Sequence, residues 1–156
     1  GPREAPPVLL LHGEPTWGYL WRHAVPPLLE AGYRVVVPDQ IGFGKSSKPL
    51  TDLHFHALAR DSAALLDSLG IETVDLVAHS MGGMLAARFA TQYPKATERV
   101  IIYNPIGLTD GRWGRPMQNI DDAYKSTLTG TDYQSTRASL SRYVAHNPKA
   151  WNADFD

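Results

Sequence analysis

A serine attacks a carbonyl carbon only when its hydroxyl is held clear of the backbone, near a base and beside donors for the oxygen that gains charge. Ser80 has the local setting for this. It lies in Val77-Ala78-His79-Ser80-Met81-Gly82-Gly83, where a short apolar run stops and a helical pattern starts. A sharp strand-to-helix turn at that point lifts the side chain above a sheet, and small residues two before and two after it let the turn pack closely. Here those residues are Ala78 and Gly82. Glycine is usual at the first position, so Ala78 is a mild departure. The start of the helix adds backbone N–H groups and a dipole that favour developing negative charge. The plainer alternative is a serine that simply caps a helix.

Acyl transfer also needs a donor from a second loop. His12-Gly13-Glu14-Pro15 follows the first apolar run, and the Glu14 backbone N–H is the candidate, paired with that of Met81. Alone, the segment reads as a glycine-containing turn with Pro15 near a helix start. Its order and spacing relative to Ser80 favour the oxyanion role. Residues 38–47, Pro-Asp-Gln-Ile-Gly-Phe-Gly-Lys-Ser-Ser, invite a phosphate-loop reading that fails. A Walker A loop needs glycine where Asp39 stands, and a dinucleotide fingerprint needs it where Ser47 stands. What remains is a turn-rich loop bordering the site.

The histidines divide by position. His54 and His56 lack a third ligand, so solvent-facing or capping roles are expected and no metal. The His79 ring is expected to point away from the Ser80 hydroxyl, and His12 to brace its loop. His146 is the one downstream histidine; its place in a helical excursion speaks against a base, which must reach the hydroxyl in space. Trp17, Trp21 and Phe89 are expected in the core.

Four apolar runs must position these residues: 8–11, 34–37, 74–78 and 99–103. Runs this short suit strands covered on both faces, as in a parallel sheet. Helical periodicity separates them. Trp17, Leu20, Trp21, Ala24 and Leu28 precede Gly32; a second pattern runs from Phe55 to Leu69 before Gly70; a third runs from Met84 to Tyr93 before Pro94. Strand and helix alternate, and right-handed crossovers then give a parallel sheet with helices on both faces. Ligands bind beyond the carboxyl ends of such strands, where each run delivers its unusual residues. After Pro105 the character changes: residues 120–129 and 135–146 read as two short helices with no strand between them.

Composition narrows the classes. The 156 residues suffice for one domain with a real core. Fifteen basic and 16 acidic residues give a net charge of -1, with no basic stripe for a nucleic acid. The absence of cysteine removes disulfides, thiol nucleophiles and thiolate metal sites. No apolar run approaches the roughly 18 residues of a membrane span. Nothing calls for a cofactor, and localisation and oligomeric state are not written in the pattern.

Residues 11–17, the Asp39-to-Pro49 loop and His79-Ser80-Met81-Gly82-Gly83 resemble the α/β-hydrolase superfamily over about residues 8–108. The first two segments are similar to its haloalkane-dehalogenase and epoxide-hydrolase branch. The elbow and Asn104-Pro105-Ile106-Gly107-Leu108 look more like its bacterial serine hydrolases. The resemblance implies a partial α/β-hydrolase core over residues 1–105 and the beginning of a helical cap over 106–156. It also implies Ser80 as nucleophile, with the Glu14 and Met81 backbones as oxyanion donors. The dehalogenase and epoxide-hydrolase branch uses an Asp nucleophile, so Ser80 disfavours both activities.

The expected order of a triad is Ser, acid, His. Asn104 is neutral where an acid can stand, and Asp110 is further into the loop. The acid and histidine are therefore expected outside this chain, which opens at Gly1 rather than Met. Two strands before Val8 are also expected to be missing, so the sequence reads as truncated at both ends and nearly inactive alone. The expected activity is hydrolysis of small ester or related acyl substrates, with perhydrolysis or C–C hydrolysis as variants on the same machinery. The rival reading is a non-catalytic ligand-binding protein on the same fold. A complete small flavodoxin-like domain would need a fifth strand and a phosphate loop, and neither is present.

Overall fold

The computed structural model describes residues 1–51, 53–108, 119–129 and 132–141. Four strands form one sheet: β1 (Pro7–Leu11), β2 (Arg34–Val36), β3 (Val74–His79) and β4 (Thr97–Tyr103). Their spatial order is β2-β1-β3-β4, and every neighbouring pair is parallel. The register sets Leu11 beside Ala78 and His79 beside Tyr103. Since all strands run the same way, the residues after Leu11, Val36, His79 and Tyr103 emerge at one edge of the sheet.

Helices α1 (Val25–Glu30), α2 (Phe55–Ser68) and α3 (Met81–Gln92) make the three crossovers. The crossover from β1 leads to one side of the sheet and that from β3 to the other, so the strand order reverses between β1 and β3. A crevice opens at such a switch point, and it is where ligands bind in sheets of this kind. On one face Leu9, Leu11, Val74, Leu76 and Ala78 bury against Leu58, Ala59 and Leu66 of α2 and Leu85, Ala86 and Phe89 of α3. On the other face Leu28 of α1 and Tyr33 border a hollow with Val8, Val77 and Ile101. The helices thus lie on both faces, as the alternation of strand and helix predicts.

Three elements differ from the pattern. The periodic stretch from Trp17 to Leu28 is not one helix. It is a 3₁₀ turn at Gly18–Trp21 followed by the short α1. Pro26 and Pro27 have no N–H to give, so a helix cannot run through them and restarts with them in its first turn. The second strand stops at Val36, short of Pro38. β4 is not covered on both faces: Ile101 and Tyr103 are each 61% exposed, because β4 is the last strand of the sheet among the described residues. Gly70, at φ 66°, closes α2 as expected.

The chain divides into two compact units, Gly1–Asp110 and Gly111–Asp156. In the second, α4 (Ile120–Thr129) begins where Asn119 Oδ1 accepts the Asp121 N–H at 2.9 Å. α5 (Tyr133–Ser141) begins two residues earlier than its periodicity suggests. Asp132 takes the N-terminal position there, accepting both the Ser135 N–H and its hydroxyl. Among the described residues no helix is long and apolar enough to cross a membrane.

Candidate active site

Ser80 sits between β3 and α3 at φ 55° and ψ -121°. A non-glycine residue there carries strain of roughly 1–3 kcal/mol, and the surroundings must hold it in place. They do so through its backbone. The Ser80 N–H donates to the Tyr103 carbonyl at 3.1 Å, and the Ser80 carbonyl accepts from Gly83 at 2.9 Å and Ile106 at 3.3 Å. The side chain makes no capping bond to α3, which removes the simple cap reading.

Two glycines make the close approach possible. A Cβ on Gly13 would lie 2.6 Å from the Ser80 Cβ and 3.1 Å from its Oγ. The loop after β1 is therefore pressed against the serine. A Cβ on Gly82 would collide with the Leu11 and His12 carbonyls, so α3 approaches the end of β1 only because that residue is glycine. Ala78 is fully buried beside Leu11, and its methyl fits without a glycine there.

The loop after β1 is braced from within. The buried His12 ring accepts the Gln40 N–H at Nε2 (3.0 Å), and its Nδ1 lies 3.0 Å from the Gly13 carbonyl. The Gln40 side chain returns an N–H to the His12 carbonyl. Burial pushes the His12 pKa down, against the Gly13 carbonyl and the Asp39 charge, which both raise it. His12 is thus the expected brace. The Gly13 carbonyl also accepts the Thr16 N–H at 3.0 Å and the Thr16 hydroxyl at 2.7 Å. Neither the Glu14 nor the Met81 N–H donates to another described residue. Met81 opens α3, and the first N–H groups of a helix have no partner within it.

The 38–47 loop borders this arrangement. The Asp39 carboxylate accepts the Gly18 N–H at 2.8 Å and the Lys45 N–H at 2.7 Å. Chiefly the Lys45 bond holds its pKa below the usual carboxylate value, with burial opposing and the Gly18 bond assisting. A hollow of about 240 Å³ lies between this loop and α2, lined by Gln40, Ile41, Leu58 and Leu65 and not by Ser80.

The remaining candidates separate. The His79 ring lies against Tyr103 with centroids 5.6 Å apart, its Nδ1 buried without a partner among the described residues, and burial lowers its pKa. His54 caps α2 by accepting the Ala57 N–H, and His56 Nδ1 lies 3.0 Å from Gln92 Oε1. Among the described residues no three His, Asp or Glu side chains gather as metal ligands. Phe89 is core, but Trp17 is 38% exposed, against expectation. It follows the turn rather than lying in a helix, and it sits by Tyr19 and under the Lys45 ammonium. Asp110 and His146 lie outside the described residues. Gln40 and Thr16 carry no signal in the sequence beyond a turn-rich context; the Gln40 contact spans 28 residues.

The fold that carries this turn has known counterparts. A family model described as the alpha/beta hydrolase fold matches residues 6–150. The chain is 37% identical to a haloalkane dehalogenase of Psychrobacter cryohalolentis, over 99% of this chain and 52% of that protein. The crystal structure of a probable hydrolytic enzyme from Pseudomonas aeruginosa PAO1 superposes with a TM-score of 0.83 at 36% identity, over 97% of this chain and 48% of that one. Epoxide Hydrolase A from Mycobacterium thermoresistibile gives 0.64 at 38% identity, over 65% of this chain and 33% of that one. The chain spans about half the length of the first two. With nearly all of its residues inside the match, the chain belongs to the alpha/beta hydrolase fold family.

Proposed function

We propose that the full-length protein carrying this chain is a serine hydrolase acting on small esters or related acyl compounds through an acyl-enzyme on Ser80. The observation that carries this reading is the strained Ser80 backbone, with its side chain free of any capping bond and pressed against Gly13. Strain of that kind at a strand-to-helix turn is the mark of an exposed nucleophile. The hydroxyl attacks the carbonyl carbon and gives its proton to a histidine base. The carbonyl oxygen takes the negative charge and is met by the N–H groups of Glu14 and Met81, which have no other described partner. The alcohol leaves with that proton, and water then frees the acid. On this reading the histidine and its acidic partner lie outside these 156 residues, and residues 106–156 begin a helical cap.

The type of residue 80 decides between reaction classes. If a serine opened a carbon–halogen or epoxide bond, the product would be an ether with no carbonyl for water to attack. A carboxylate nucleophile would leave an ester, which water cleaves. Ser80 therefore favours acyl chemistry over that in the names of the dehalogenase and epoxide-hydrolase relatives. A fluorophosphonate probe applied to the full-length protein tests this. Labelling should be stoichiometric and lost in Ser80→Ala. Absence of labelling, or labelling that survives the substitution, refutes the reading.

A further inference from the structure

An oxyanion donor is useful only when aimed, and a backbone N–H is aimed by the peptide plane it belongs to. The Gly13–Glu14 peptide is trans, so its carbonyl and its N–H point in opposite directions. Whatever holds the Gly13 carbonyl therefore sets the direction of the Glu14 N–H. Three contacts hold it: the Thr16 N–H at 3.0 Å, the Thr16 hydroxyl at 2.7 Å and His12 Nδ1 at 3.0 Å.

The third contact is a hydrogen bond only if the proton sits on Nδ1. Gln40 decides that. Its backbone N–H can only donate, and it points at His12 Nε2 from 3.0 Å. Nε2 must then be the unprotonated nitrogen, and the single proton of the neutral ring falls on Nδ1, facing the Gly13 carbonyl. Gln40 further anchors the same loop through its side-chain N–H to the His12 carbonyl.

We propose that His12 and Thr16 are positioning residues that aim the Glu14 N–H at the oxyanion by gripping the Gly13 carbonyl, and that Gln40 selects the His12 tautomer that allows it. The inference rests on the proposed acyl chemistry at Ser80. It adds two side chains and a loop that do not touch substrate yet control the rate of attack.

The test uses p-nitrophenyl acetate hydrolysis by the full-length protein, with kcat and KM measured separately. Ser80→Ala comes first, and hydrolysis that persists in it refutes the acyl reading itself. Given a dependence on Ser80, Thr16→Val keeps the shape and removes the hydroxyl grip, while Thr16→Ser keeps the grip. Deleting an oxyanion donor outright costs about 100- to 1,000-fold in kcat, so loosening one of three holds on it should cost about tenfold. KM should change by less than about twofold, because the donor acts on charge that appears only in the transition state. Thr16→Ser should restore kcat to within about twofold of the wild type. His12→Asn, which offers a side-chain N–H near the Nδ1 position, should retain more kcat than His12→Leu. Urea midpoints are recorded for every variant. An unchanged kcat in Thr16→Val overturns the proposal. So does an equal loss in Thr16→Ser, or a loss that simply follows a lowered midpoint.

Discussion

Replacing Asp39 by Asn tests whether the loop beside the site is held by charge or merely by shape. The Asp39 carboxylate accepts two backbone N–H groups, from Gly18 at 2.8 Å and from Lys45 at 2.7 Å, and it so ties the turn after Trp17 to the loop around Gly44. Asn has nearly the same outline but only one oxygen. One N–H keeps a neutral acceptor, and the other faces an NH₂ group. Hydrogen bonds to a charged acceptor contribute about 1.5–3 kcal/mol each. The Lys45 bond is exposed, so the lower end of that range applies there. One lost bond and one weakened bond then give a loss of about 2 kcal/mol at pH 7. For a protein of 150–250 residues this corresponds to a fall of about 4–8 °C in Tm. The sign of the pH dependence follows from the depressed carboxyl pKa. A carboxylate more acidic in the folded state stabilises fully above its unfolded value, and that stability is lost as pH falls through the native value. Thermal unfolding of wild type and Asp39→Asn across a series from pH 7 into acid should show the gap at its widest at neutral pH, narrowing once pH drops towards the ordinary carboxyl value of 3.8. A gap below about 0.5 kcal/mol at pH 7, or one that widens in acid, would falsify the idea that the charge holds the loop.

Other substitutions probe the geometry more directly. Gly13→Ala would set a methyl 2.6 Å from the Ser80 Cβ and 2.9 Å from the His79 carbonyl. The loop must then retreat, which should cost about 1–3 kcal/mol in stability and slow fluorophosphonate labelling about 100-fold in the full-length protein; wild-type labelling would refute the close approach. Asp75→Asn breaks an ion pair in which Arg99 Nε lies 2.8 Å from Asp75 Oδ1, but the Arg99 side chain is 69% exposed. The urea midpoint should fall only slightly, and the difference from wild type should shrink further in about 1 M salt; a large fall that salt leaves untouched would refute this.

The sequence reveals the site unevenly, and the unevenness has a physical cause. Local features are legible because neighbouring residues generate them. The apolar run of β3 ending at the Ser80 turn is one, and Gly70 closing α2 is another. The helix expected from Trp17 to Leu28 fails on the same local scale, since the missing N–H groups of Pro26 and Pro27 overrule an apolar period. The His12–Gln40 contact belongs to another class. It forms because β1 and β2 are parallel neighbours, which brings the loops after them together at one edge across 28 residues of chain. No periodicity in either loop encodes it. The exposure of β4 is likewise a property of strand order, whereas the composition of Arg99-Val100-Ile101-Ile102-Tyr103 resembles that of a covered strand.

Strand order also explains how the strain at Ser80 is tolerated. A residue at φ 55° and ψ -121° would relax if its backbone were free, with roughly 1–3 kcal/mol to gain. Each backbone hydrogen bond contributes about 0.5–1.5 kcal/mol, so the three bonds to Tyr103, Gly83 and Ile106 together match or exceed that gain. Two of the three partners lie on β4 or just beyond it, and Gly13 closes the opposite side from the end of β1. The serine is therefore clamped between strands on both sides of β3, and the reversal of strand order is what puts a loop on each side. A serine of this kind at an outer strand would have only one flank and could release its strain. Its position at the switch point thus supplies the rigidity that keeps its side chain free of a capping bond to the helix.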